Sequence, residues 1–178
     1  MRAFWSGGYD ATSLETLLPQ LGIGLSSFYR TFGSKQALYL EAIDLYREEM
    51  AGRLRENLQV APLHRALGTL FGAVVDEMAR EEVSRGCLLV NATVERAPHD
   101  PDVRQRVREQ LATNRELFRG AVARARERGE IASALPDDAL ALDLVNTYHG
   151  LRVTGKATAD RAVLDAIVES VIARVIGG

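Results

Sequence analysis

Apolar positions recur at helical spacing along almost the whole chain, and the period-two alternation of a half-buried strand is sustained nowhere. From Ser34 to about Leu58, the side chains Leu38, Ile43, Leu45, Tyr46 and Met50 share that spacing. The next segment carries Leu63, Leu67, Leu70, Phe71, Val74, Val75 and Met78. Residues Gly86 to Ala97 are largely apolar, with Asn91, Thr93 and Glu95 among the exceptions, which predicts a buried helix. "PHDPD", Pro98 to Asp102, is a break: two prolines around an aspartate that can cap the helix after it. Beyond it Val103, Val107, Leu111, Phe118, Val122 and Ala125 mark one face of a long helix ending near Gly129. Its other face, with Arg104, Arg108, Glu109, Arg115 and Glu116, reads as solvated. Another helix is predicted from Pro136, with acids in its first turn. The last has Leu164, Ile167, Val168, Val171, Ile172, Val175 and Ile176 in an unbroken stripe. The pattern predicts an all-α chain of about eight or nine helices, without repeats, low-complexity tracts or long linkers.

The stretch Thr12 to Leu38 departs from these long helices. Thr12 and Glu15 form a T-x-x-E capping box, so a helix is predicted from Ser13, with Leu14, Leu17, Leu18 and Leu21 inward. Gly22 supplies a sharp turn and Ile23 packs back into it. Ser26-Ser27 opens a second short helix with Phe28 and Phe32 inside; Gly33 ends it and Ser34 caps the long helix that follows. Leu17, Leu21, Phe28 and Phe32 are read as core. The outer face, Gly24, Leu25, Ser26, Ser27, Tyr29, Arg30 and Thr31, is small, polar or cationic, and none of it is acidic. Two short helices joined by a tight turn make a helix-turn-helix pattern. A helix entering the major groove needs a slim surface free of carboxylates, because phosphates line both walls. Pro19 predicts a kink or early unwinding just before the turn.

Composition narrows the picture less than pattern does. The 178 residues are 47% hydrophobic and 26% charged, an ordinary soluble balance. A net charge of −2 neither favours nor excludes nucleic acid, since a binding surface can be local. The single cysteine, Cys87, excludes an internal disulfide and an all-cysteine zinc site. It reads as an inert buried thiol, with a reactive sensor beside Arg85 as the sharper alternative. His64, His99 and His149 are scattered, and no nucleophile-base set, phosphate-cradling loop or metal spacing accompanies them. No catalysis, cofactor or metal is expected. No apolar run approaches membrane length and "MRAFWSGGYD" lacks the form of a signal peptide, so a cytoplasmic protein is expected.

From Gly8 to Ile43 the chain resembles the amino-terminal DNA-binding unit of TetR/AcrR-family transcriptional regulators. The matching pieces are Gly8-Tyr9, Ala11-Thr12-Ser13, Leu21-Gly22-Ile23, Ser27-Phe28-Tyr29-x-x-Phe32 and Gly33-Ser34-Lys35-x-Ala37-Leu38. "RGCLLVNATVE" and "GLRVTGKATADRAVLDAIV" are similar to segments of the family's carboxy-terminal domain. The resemblance implies a helix-turn-helix domain over 1–48 with its motif at Ser13 to Phe32, and an effector-binding and dimerisation domain over 49–178. It implies a homodimeric, ligand-responsive regulator, by the family's habit a repressor, acting on a palindromic double-stranded operator. Thr12, Ser13, Tyr29 and Lys35 would then meet phosphates, while Gly24, Leu25, Ser26, Ser27, Arg30 and Thr31 would face the groove. Phe71, Met78, Cys87, Asn91, Asn114, Phe118, Tyr148 and His149 would surround an unidentified small-molecule effector. The stripes of the last two helices supply the expected dimer face: Leu144, Leu151, Leu164, Ile167, Val168, Val171, Ile172 and Val175. Met1-Arg2-Ala3-Phe4-Trp5 falls in what should be the last turns of the family's first helix, so a truncated first helix is expected. That departure and Pro19 leave an alternative, a helical effector- or partner-binding dimer that has lost DNA binding.

Overall fold

The computed structural model describes residues 1–80, 86–158 and 160–177, and over these the chain is helical with no strand. In order the helices are α1 (Arg2–Gly7), α2 (Leu14–Leu21), α3 (Leu25–Phe32), α4 (Lys35–Asn57), α5 (Leu63–Arg80), α6 (Leu88–Glu95), α7 (Pro101–Glu127), α8 (Asp137–Ala157) and α9 (Arg161–Ile176). Caps fix several of these limits. The Ser34 hydroxyl accepts from the Ala37 amide at 3.0 Å to start α4. Asp100 Oδ1 accepts from the amides of Asp102 (3.0 Å) and Val103 (3.2 Å) to start α7, the role that an aspartate between two prolines predicts.

The chain divides into two compact units, Met1–Glu49 with Cys87–Arg108, and Met50–Gly86 with Glu109–Gly178. The first unit therefore takes in α6 and the opening turns of α7, which a boundary drawn after residue 48 leaves with the carboxy-terminal half. Its core is aromatic. Phe4 meets the edge of Tyr39 at 5.0 Å, Trp5 meets Tyr46 at 5.1 Å, and the Tyr46 hydroxyl donates to Cys87 Sγ at 3.3 Å. Cys87 is buried, while Arg85 lies outside the described residues. Leu45, expected on the inward stripe of α4, is 50% exposed, because Ala42, Ile43 and Tyr46 already occupy the buried side.

The second unit is a conventional apolar bundle in which α5, α8 and α9 pack on one another and on α7. Gly155 lets α8 approach α5 closely; a Cβ there would sit 2.6 Å from Met78 Cγ. This core takes up much of the expected dimer face. Leu144, Leu151, Leu164, Val168, Val171 and Val175 are buried inside the unit, and only Ile167 and Ile172 remain partly exposed. Along α7 the inward row runs through Gln110 and Asn114, 4% and 2% exposed, to Phe118, whereas Leu111 faces out at 41%.

Candidate nucleic-acid interface

Ser13, not Thr12, caps α2: its hydroxyl accepts from the Thr16 amide at 3.2 Å. Thr12 is 3% exposed and donates its hydroxyl to the Gly8 carbonyl at 2.6 Å, so it is spent inside the unit and cannot face a phosphate. Helix α2 continues to Leu21 despite Pro19. The proline removes one amide from a two-turn helix, and the carbonyl it deprives belongs to exposed Glu15, where water can replace it. Leu21 is 38% exposed rather than core, since it is the last residue before the turn. Gly22 there adopts the left-handed conformation (φ 67°), its amide donates to the Leu18 and Pro19 carbonyls, and the Ile23 amide reaches Leu18 at 3.4 Å.

Helix α3 is held by one side only. Phe28 is fully buried, edge-on to Tyr29 at 5.5 Å and tilted against Phe32 at 5.4 Å. Leu25, Ser26, Tyr29, Arg30 and Thr31 are exposed, Ser27 is half-buried, and no acid lies in the first turn. Gly24 caps the helix without a side-chain bond, which leaves the first-turn amides to an outside acceptor. The expected groove residues, Gly24 to Ser27 with Arg30 and Thr31, thus belong to one short helix and its cap, and Tyr29 stands half-exposed beside them.

Lys35 opens α4 with its Nζ 4.3 Å from the centroid of the Tyr9 ring, and the Arg96 guanidinium lies 4.4 Å from the same ring. Glu95 accepts from the Tyr9 amide through Oε2 (3.1 Å) and from the Asp10 amide through Oε1 (2.9 Å). Burial first, then the Glu95 charge, pushes the Tyr39 phenol above its ordinary value and keeps it protonated. Glu95, Arg96 and Asp100 were not anticipated near the helix-turn-helix. For Glu95 and Arg96 the signal was a pair of charges closing an otherwise apolar segment, which gives no hint of its partner, and Asp100 was expected only as a helix cap.

The expected effector residues fall in both units. Cys87 and Asn91 belong to the first unit; Phe71, Met78, Asn114, Phe118, Tyr148 and His149 belong to the second. There Phe71, Phe118 and Tyr148 bring their rings within 6.1–6.5 Å of one another. Gln110 Nε2 donates to Asn114 Oδ1 at 2.8 Å, and Asn114 Nδ2 lies 3.2 Å from His149 Nε2. Burial, then the charge of Arg152, pulls His149 down to about 4. Arg152, itself 4% exposed, lies 4.1 Å from the Tyr148 ring and donates to its hydroxyl at 3.2 Å. Sequence reading missed Gln110 and Arg152 because one sits on a charged helix and the other among exposed-type residues.

Known proteins match both halves. The model for bacterial regulatory proteins of the tetR family covers residues 1–42, and that for the tetracyclin repressor-like C-terminal domain covers 62–171. The chain belongs to the TetR family. It is a helix-turn-helix transcriptional regulator, and α2 and α3 lie inside the matched amino-terminal segment. Among its relatives is the uncharacterized HTH-type transcriptional regulator YezE of Bacillus subtilis, 31% identical over 90% of this chain and 84% of that protein. The HTH-type transcriptional repressor ComR of Escherichia coli is 25% identical over 74% of this chain and 63% of its own length. A cysteine mutant of the TetR-family regulator CifR, solved with 26-base-pair operator DNA, superposes with TM-score 0.82 at 29% identity, over 96% of this chain and 90% of that one. Among the described residues no helix is long and apolar enough to cross a membrane.

Proposed function

We propose that this TetR-family chain is a cytoplasmic, ligand-responsive repressor that grips a palindromic operator as a homodimer, with α3 as its reading helix. The observation that carries this is the outward surface of α3: exposed, free of carboxylate, bearing Arg30 and Tyr29, and rigidly seated by Phe28. Arg30 can pair in bidentate fashion with a guanine edge. The Tyr29 hydroxyl and the open amides at the start of α3 donate to phosphates, and Ser13 and Lys35 add contacts at the flanks. Residues 1–48 carry the surface that reads DNA, and the response and pairing functions belong to 49–178.

Two chains pair through the outward faces of α8 and α9. Leu142 and Val153 on α8 and Val163 on α9 are each about half exposed; partly exposed Ile167 lies one turn from Val163, and Ile172 borders the buried row of α9 on its other side. A pair of helices from each subunit makes a four-helix contact. It would set two copies of α3 at half-sites about 34–36 Å apart, or a multiple of that. The effector contacts the aromatic and polar cluster of the second unit, Phe71, Phe118, Tyr148, Asn114 and His149, and shifts the population between DNA-competent and incompetent forms.

The test is a salt-dependent titration of the full chain against DNA flanking its own gene. Binding should fall steeply with salt. Arg30→Ala should cost about 1–3 kcal/mol and relax sequence preference, while Tyr29→Phe should weaken all sequences alike. A chain that binds no duplex but still self-associates would be the dimer without DNA binding.

A further inference from the structure

The groups expected at the phosphates are held in place by a part of the chain far from them in sequence. Glu95, the last residue of α6, uses both carboxylate oxygens on the turn between α1 and α2, one on the Tyr9 amide and one on the Asp10 amide. Gly8 (φ 77°, ψ 176°) presses on the same carboxylate, and a Cβ there would lie 2.8 Å from Oε2. Arg96 covers the Tyr9 ring and stands 3.6 Å from Asp10. Asp100, 2% exposed, accepts from Gln36 Nε2 at 3.1 Å and meets Arg96 at 3.4 Å. The first turn of α4 is therefore gripped twice by the α6–α7 segment, at Gln36 through Asp100 and at Lys35 through Tyr9.

We infer that Glu95, Arg96 and Asp100 are positioning residues for DNA binding, so that the segment Cys87–Arg108 is a working part of the reading head. The inference rests on the DNA-binding reading above. A carboxylate that accepts two backbone amides makes charge-assisted bonds, stronger than the neutral bonds that usually fix a turn. The turn it fixes leads into Ser13 and the start of α2. The ring it holds steadies the Lys35 ammonium, a flexible point charge whose ordering would otherwise be a cost of binding. None of the three residues needs to touch DNA to set its affinity.

A double-mutant cycle on the full chain separates this role from plain stability. The probe is duplex selected by the wild-type protein from a random pool, titrated across a salt series. Glu95→Gln should weaken binding about tenfold and lower the slope of log K against log[salt] by about two, one phosphate contact per subunit. Lys35→Ala should lower the slope by the same amount, yet add less than about twofold in the Glu95→Gln background. Arg30→Ala should multiply the loss equally in both backgrounds. Fully multiplicative effects of Glu95→Gln and Lys35→Ala, or an unchanged slope, would overturn the proposal while leaving the DNA-binding reading intact. Should the pool yield no bound duplex, that reading falls and the proposal falls with it. Near-ultraviolet dichroism from Trp5 against Tyr46 reports whether the unit is folded, and Arg96→Gln carries the same cycle if Glu95→Gln is not.

Discussion

Helix α3 and the pair α8 and α9 carry apolar residues at the same helical spacing, yet they spend them differently. In α3, Phe28 is sunk into the first unit and the rest of the helix stands out of it, with Leu25 and Tyr29 about half exposed. In α8 and α9 the widest apolar stripes of the chain are consumed by the second unit's own core, with Leu144, Leu164 and Val175 at 0% exposure. The surface left to α8 and α9 is a secondary row, Leu142, Val153 and Val163, that the dominant stripe conceals in the sequence. Spacing tells which side of a helix leaves water; it does not tell which body covers it.

The largest expected effect tests that distinction. Leu164→Ala should cost about 2–5 kcal/mol in urea unfolding, the price of a cavity in a packed core. Val163→Ser, one residue away but 44% exposed, should leave unfolding within about 0.5 kcal/mol and instead weaken self-association in sedimentation. If Leu164→Ala changed only self-association, the originally expected dimer face would be restored and the contrast with α3 would collapse.

A smaller effect concerns the polar row inside the apolar unit. His149 has its folded pKa pulled down to about 4 from an ordinary 6.5, by burial and then by Arg152. As pH falls the unfolded chain takes the proton first. Stability from this group is therefore complete above pH 6.5, declines through the window from 6.5 to about 4, and is lost below it. The shift corresponds to about 3 to 4 kcal/mol at most, at roughly 1.4 kcal/mol per pKa unit. His149→Gln should flatten the profile across that window relative to wild type. Parallel profiles would mean that the imidazole is solvated in the folded chain and that the second unit has no buried polar row around it.

Much of this was legible before the fold. The helix limits were readable because Ser34, Asp100, Pro136 and the glycines at 22 and 33 punctuate long periodic runs, and the α3 surface because a two-turn helix has room for one buried face. The partners of polar side chains were not. Glu95 and Asp100 act across sequence distances that no periodicity spans, and Thr12 looked like a cap because its spacing to Glu15 is correct while its hydroxyl turns back to Gly8. Gln110 was invisible because Leu111 beside it satisfied the expected apolar row, and only packing shows that the polar neighbour is the buried one.

The smallest effect compares one added methyl group in each unit. Gly155→Ala places a Cβ 2.6 Å from Met78 Cγ and 2.7 Å from its Cβ, atoms near the backbone of α5 that cannot swing aside. Overpacking of this kind costs about 1–3 kcal/mol. Gly8→Ala meets the mobile end of Glu95, but the backbone there lies in a region that only glycine occupies readily, again a cost of about 1–3 kcal/mol. Thermal melts should therefore rank the two variants together, and DNA titration should separate them. Gly8→Ala displaces the carboxylate from the Tyr9 and Asp10 amides and should lose affinity in the folded protein, whereas Gly155→Ala should keep it. Equal loss of affinity from both would mean that DNA binding tracks overall stability alone, and that the polar clamp of the first unit does no more than the apolar core of the second.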